Sequence, residues 1–571
     1  MFTSLPPAAI EFMEWDWPQI EPYIHDLQSR ALNDASLEEW LADWSRLSNL
    51  VHEAQQRLYV ASTLDTANPE TRRRYESFLE HILPAFQAGD QRLKLKLLAS
   101  GLQPKNFAIP FRNLQSEVEL YREENLQLLT EELMLATQYD ALTGAQTVTW
   151  EGEEVTLPQL QTVYQSQDRA QRERAWRLAA ERQLADRERI NRLWGRFMEV
   201  RRRLADNARL LDYRAYRWRQ LLRFDYTPGD CERFHQAIYE AVLPAARQVC
   251  EQRRRRLGVA SLRPWDLDVD PLGSPPLRPF HDITELVERT SAIFHRLHPQ
   301  LGNYFDIMRL EGLLDLDNRQ GKAPGGYCTE FRVARRPFIF MNAVGVHEDV
   351  QTLLHEGGHA CHVFETVHLP YHQQLHIPLE FMEVASLGME FLASPHLEAA
   401  RGGFYSRQEA ARAHLEHLEH SLIFWPYMAV VDAFQHWVYQ NHTQASDPQR
   451  CDAQWASLWE RYMPIEDWSG LDEELRTGWQ RKLHIHQVPF YYVEYGLALV
   501  GALQIWRKAL HDPQGTLAAY RNALALGGTA SLPQLYSAAG ARLAFDTAAL
   551  RQVVDWMMQE IAELQVVAGM S

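Results

Sequence analysis

Five consecutive residues, His355-Glu356-Gly357-Gly358-His359, constrain the fold more than any other feature of the chain. Histidines four apart lie about 40° apart around an α-helix and one turn along it, so on a helix both imidazoles can reach a single ion. Glu356 then lies beside that ion, close enough to handle a bound water but not facing the metal as a ligand. Val350, Leu353, Leu354, Cys361, Val363 and Phe364 supply the apolar face such a helix needs. Each glycine costs a helix about 1 kcal/mol relative to alanine, so the pair points to close approach of another backbone or of a substrate. Seven of the 23 histidines fall between His347 and His376.

A zinc ion held by two histidines needs a third protein ligand and an open fourth position. One arrangement uses a histidine six residues after His359, preceded by a glycine. Those positions are Glu365 and His362, which excludes it. The alternative is a glutamate on the next helix. Prolines mark a loop from His368 to Pro378, a second helix starts near Leu379, and Glu380, Glu383 and Glu390 are its candidates. Glu383 follows His359 by 24 residues, enough for one loop and a return. Glu390 lies about 10 Å further along the axis and reads as a partner of a ligating histidine.

The remainder is largely helical. Leu37, Trp40, Leu41, Trp44 and Leu47 recur near the 3.6 period, as do Leu126, Leu129, Leu133 and Ala136. Residues 147–157 alternate around Gly152 and predict a small hairpin. Ser166 is a candidate N-cap for one long charged helix through Arg203. A boundary near residue 190 divides a helical N-terminal region, 1–190, from a helical catalytic region, 191–571. Gly258 to Pro279 reads as loop with one strand. Gly325-Gly326-Tyr327-Cys328 reads as a turn, and Phe338 to Asn342 as a strand whose edge could receive an extended peptide. The arginine runs 72–74, 201–203 and 253–256 read as solvated helix faces, and His414, His417 and His420 as a polar one.

The 571 residues are 46% hydrophobic and 23% charged, with a formal net charge of -17. That balance suits a large globular core and opposes general nucleic-acid binding. No run approaches the ~18 apolar residues of a membrane span. Five scattered cysteines without a CxxC, and an acidic start lacking a signal-peptide pattern, predict a reduced, cytoplasmic protein. Cys328 and Cys361 have no base and orienting group beside them, and no phosphate loop or G-x-S-x-G elbow occurs.

His355 to His362 followed by Glu383-Val384-Ala385-Ser386 resembles the thimet oligopeptidase and oligoendopeptidase F family of zinc metallopeptidases. Gly321 to Cys328, Pro489 to Gly496, and the hairpin with Gln167-Asp168-Arg169-Ala170 are similar to further family segments, in order, over roughly residues 140–510. The resemblance implies a mostly α, two-lobed helical fold with a deep central channel and a small β-sheet near the zinc helix. It implies one Zn2+ on His355, His359 and Glu383, with Glu356 as the base that activates a zinc-bound water. Tyr491 and Tyr495, four apart on one helical face, and a preceding histidine would stabilise the oxyanion. His484 and His486 both fit that histidine, and His484 is favoured. The implied activity is endoproteolysis of short unstructured peptides. The rivals are an exopeptidase such as a carboxypeptidase on a related scaffold, and a non-catalytic helical peptide-binding protein.

Overall fold

The apolar periodicity of the first hundred residues becomes one core and most of the remainder a second, larger one, with three smaller apolar clusters beside them among the described residues. The computed structural model describes residues 2–569. Helix Leu37–Leu64 buries Trp40, Leu41, Trp44 and Leu47 and carries Glu38 and Glu39 in its first turn, where they complement the helix dipole. These side chains belong to an apolar core drawn from Phe2 to Leu114. The larger core runs from Leu120 to Ala568 and contains the helix that carries the histidine pair. The fold is thus mostly helical, with two small sheets among the described residues. The boundary read near residue 190 falls inside helix Arg187–Asn207, and the two cores divide between Leu114 and Leu120.

The predicted hairpin is present. Strands β1 (Thr147–Trp150) and β2 (Glu153–Thr156) pair antiparallel, Val148 opposite Val155. Their two-residue turn has positive φ at both Glu151 (53°) and Gly152 (96°), the conformation that matches the twist of the flanking strands.

The second sheet differs from expectation. β3 (Leu314–Asp317), β4 (Tyr327–Phe331) and β5 (Arg336–Ala343) lie in the order β3-β5-β4, with β5 parallel to β3 and antiparallel to β4. Phe338 to Asn342 therefore lies in the central strand, between β3 and β4, and offers no edge to a peptide. Tyr327 and Cys328 open β4 and are not part of the turn, which Gly325 makes at φ 91°.

Three further expectations are corrected by tertiary contacts. The segment from Ser166 to Arg203 forms two helices, Arg169–Leu184 and Arg187–Asn207. Asp168, not Ser166, caps the first by accepting from the Ala170 amide at 2.9 Å. Buried Asp186 interrupts the chain between them, held by Arg182 at 2.7 Å and Gln146 at 3.0 Å. Residues 258–279 contain a single turn of 3-10 helix, Pro264–Asp266, and no strand. Arg201 is not on a solvated face. It is fully buried, with Nε 2.7 Å from Glu132 and its NH groups on the Tyr439 hydroxyl and the Ile485 and His486 carbonyls. Among the described residues no helix is long and apolar enough to cross a membrane.

Because Arg201 satisfies two carbonyls in the interior, Arg201→Met strands both, while Glu132 keeps the Tyr213 hydroxyl at 3.0 Å. Removing one partner of such a network costs about 3–5 kcal/mol, and urea unfolding followed by circular dichroism should register a loss of that order.

Candidate active site

The short link from β5 to the histidine helix, His347–Thr366, is set by one carboxylate. Asp349 Oδ2 accepts from the amides of Val344, Gly345 and Val346 at 2.9, 2.7 and 2.9 Å, which satisfies donors at the helix start. Two turns on, the glycines do what their helix cost implied. A Cβ on Gly358 would sit 2.6 Å from Ala385 O and Ser386 Cα, and one on Gly357 would sit 2.5 Å from the Phe294 ring. The histidine helix thus meets helix Leu379–Ala393 at backbone contact.

That crossing brings Glu383 to the two histidines. Its Oε2 lies 3.4 Å from His355 Nε2 and 3.7 Å from His359 Nε2. The ligand atoms of all three residues lie within 4.8 Å of one another. The other oxygen of Glu383 accepts from the Tyr491 hydroxyl at 2.5 Å, and Ser386 Oγ is 3.1 Å from Oε2. His355 Nδ1 is 2.7 Å from Glu390 Oε1. A carboxylate there keeps the proton on Nδ1 and leaves the Nε2 lone pair toward His359 and Glu383. Two imidazole nitrogens and one carboxylate oxygen, oriented in this way, fit a zinc ion. Glu380, the third glutamate considered, turns away and pairs with Arg223 at 3.2 Å.

The same neighbourhood drives its carboxylates in opposite directions. Burial opposes ionisation of Glu383, but His359, His355 and Tyr491 outweigh it and hold the group at about 2. Glu390 is likewise buried yet held at about 2 by His355 and His417. Glu356 has no such donors. Burial and the negative charges of Glu383 and Glu390 push it up to about 7, against His355 and a backbone hydrogen bond from Cys328. Its Oε2 is buried without a partner. Cys328 is the second residue of β4, so an outer strand of the sheet, not the central one, lies against Glu356.

The tyrosine segment is aimed by a strained residue. Phe490 adopts φ 65°, uncommon for a side chain of its size, and is held there by its amide on Gln435 Oε1 at 2.7 Å and its carbonyl on Arg223 at 2.6 Å. Helix Tyr492–Ala509 starts directly after it. Tyr491 and Tyr495 share one face, rings 5.3 Å apart. His484 Nε2 lies 3.3 Å from the Tyr495 hydroxyl, and burial lowers this histidine to about 3. His486 is elsewhere, fully buried and stacked 4.5 Å from Tyr139. The seven residues singled out from sequence therefore come together, with Tyr491 already engaged by Glu383 and Tyr495 by His484.

Two features escaped the sequence reading. His417 is not on a polar face but packs inside, 2.9 Å from Glu390 Oε2, and His414 packs edge-on to Trp506 at 4.8 Å. No local pattern separates such a histidine from a solvated one. Cys231, Asp432 and His436 also converge within 4.8 Å. There Asp432 Oδ2 pairs with His235 at 2.8 Å and Arg214 lies 3.3 Å from His436 Nδ1, while Asp432 Oδ1 and His436 Nε2 are buried without a hydrogen-bond partner.

The sequence model of peptidase family M3 matches residues 162–555. The chain belongs to peptidase family M3. This M3 chain is an enzyme, a metalloendopeptidase. No curated protein sequence matches it. Solved structures do. It is similar to a PZ peptidase A determined with an inhibitor, at 27% identity and a TM-score of 0.90 over 100% of both chains. It is similar to a chain assigned as oligoendopeptidase F, at 27% identity and a TM-score of 0.92 over 99% of both. A third, assigned as oligoendopeptidase F of Bacillus anthracis str. Ames, shares the fold at 24% identity and a TM-score of 0.86, covering 96% of this chain and 97% of that one.

Gly358→Ala tests the crossing that builds this M3 site. Its methyl would meet backbone, which cannot rotate aside as a side chain can. A loss of about 1–3 kcal/mol is expected, measured by urea unfolding of the metal-free protein.

Proposed function

We propose that this M3 peptidase is a zinc-dependent oligoendopeptidase that hydrolyses internal bonds of short, unstructured peptides. The observation that carries the reading is the convergence of His355, His359 and Glu383 within 4.8 Å beside Glu356. His355, His359 and Glu383 would hold one zinc ion. When bound, zinc polarises a peptide carbonyl and makes water a stronger acid.

The chain's own residues supply the rest. Glu356, at about 7, is matched to taking a proton near neutral pH. It accepts that proton from the water that attacks the carbonyl, then returns it to the departing amine. Its free Oε2 gives it the acceptor this requires. Tyr491 donates to Glu383 and so orients a ligand carboxylate, which leaves Tyr495 and His484 as the donors best suited to the developing oxyanion. A peptide lying along β4 would run beside Glu356 and gain backbone hydrogen bonds from the strand's outer side. The peptide substrates follow from the family. The preference for short ones follows from the similarity to oligoendopeptidase F.

Chelation should abolish cleavage of a peptide blocked at both ends, and stoichiometric zinc should restore it. Glu356→Gln should bind zinc as the parent does and lower kcat by on the order of 10^3. A variant that cleaves at the parental rate would remove Glu356 from the reaction. Failure to cut any doubly blocked peptide, with cutting of free-ended ones, would favour the exopeptidase.

A further inference from the structure

Glu390 uses one oxygen to orient His355, and its other oxygen is engaged as well. Oε2 lies 2.9 Å from Nε2 of His417, on helix Arg407–Gln440. Both side chains are 8% exposed. The His417 ring stacks on Phe391, the residue after Glu390, at 4.4 Å and 15°. Phe391 in turn stacks on Trp506 of the tyrosine helix at 5.4 Å and 21°. Two aromatic layers thus fix the plane of the His417 ring. Its Nδ1 has no hydrogen-bond partner, so Glu390 is the polar group that sets which way the ring faces.

We propose that His417 is a positioning residue for the zinc site, holding Glu390 so that its near oxygen stays on His355 Nδ1. A glutamate has three rotatable bonds, and a single hydrogen bond to His355 leaves the carboxylate free to turn about the last of them. A second donor on the opposite oxygen removes that freedom. Without His417, Oε2 would be a buried acceptor with no partner, and the carboxylate would relieve this by swinging away. That change releases His355 from the orientation that presents Nε2. The chain His417–Glu390–His355 therefore links three helices to the geometry of one ligand. It deepens, and rests on, the zinc reading above.

The test is zinc affinity, measured on the metal-free protein by competition with a chromophoric chelator, together with the visible spectrum of the cobalt-substituted protein. His417→Phe keeps the stacked ring and removes the donor, whereas His417→Gln keeps a donor. His417→Phe should weaken zinc binding by about 10- to 100-fold and alter the cobalt spectrum, while the metal-free protein still folds, its Tm lowered only by the acceptor left unpaired. His417→Gln should stay within about threefold of the parent, since the amide can still donate to Glu390. In a Glu390→Gln background, His417→Phe should add nothing, because its partner is already lost. Parental affinity in His417→Phe, or additive losses in the double variant, would overturn the proposal. Should His417→Phe fail to fold, His417→Leu repeats the comparison, and loss of the metal-free fold in both would assign the ring to core support and overturn it too. A parent that binds no zinc, or zinc binding that survives His355→Ala, would instead sink the zinc reading itself.

Discussion

Everything at the site depends on how closely two helices cross. Gly358 has no side chain, and the space a methyl would fill is taken by the backbone of Ala385 and Ser386. That contact carries Glu383, two residues before Ala385, to within 3.4 Å of His355 and 3.7 Å of His359. Gly357 serves the other flank, where the Phe294 ring occupies the position its Cβ would take. The helix cost of two adjacent glycines is offset by tertiary packing that larger residues could not reach.

Crowding acids and imidazoles into the interior makes environment decide what each group can do. Glu383 accepts from Tyr491 and faces two imidazoles, so it stays ionised and suits a ligand. Glu356, on the next helix over, is equally buried but is left with an unpartnered oxygen and neighbouring negative charge, so it holds a proton far more readily. Neighbouring carboxylates thereby separate into an anchor and a base, a division produced by hydrogen bonding and burial and not by residue type. The Phe490 turn and the Phe391–His417 stack extend the same logic outward, fixing donors before any substrate arrives.

Much of this was legible in the chain because the signals were local. A five-residue spacing identified the histidine helix, a proline-marked loop located the next one, and Gly152 marked the hairpin. The choice of Glu383 over Glu380 needed the family resemblance, and its physical reason is Arg223, 157 residues earlier in the chain. Long-range contacts also defeated the less successful expectations. The central position of β5 follows from β3 pairing on its far side, which no alternation within residues 336–343 reveals. Arg201 sits in an arginine run like any surface run, yet its carbonyl partners come from residues 485 and 486. His417 repeats at a polar helical spacing, and only its long-range contacts with Glu390 and Phe391 distinguish it.

The most direct measurement is an anomalous difference map, collected at the zinc absorption edge from crystals of zinc-loaded protein. The account predicts one strong peak at about 2.0–2.2 Å from a nitrogen of His355, a nitrogen of His359 and a carboxylate oxygen of Glu383. A zinc-loaded, active crystal with no density there, or with its ion held by other residues, would contradict it.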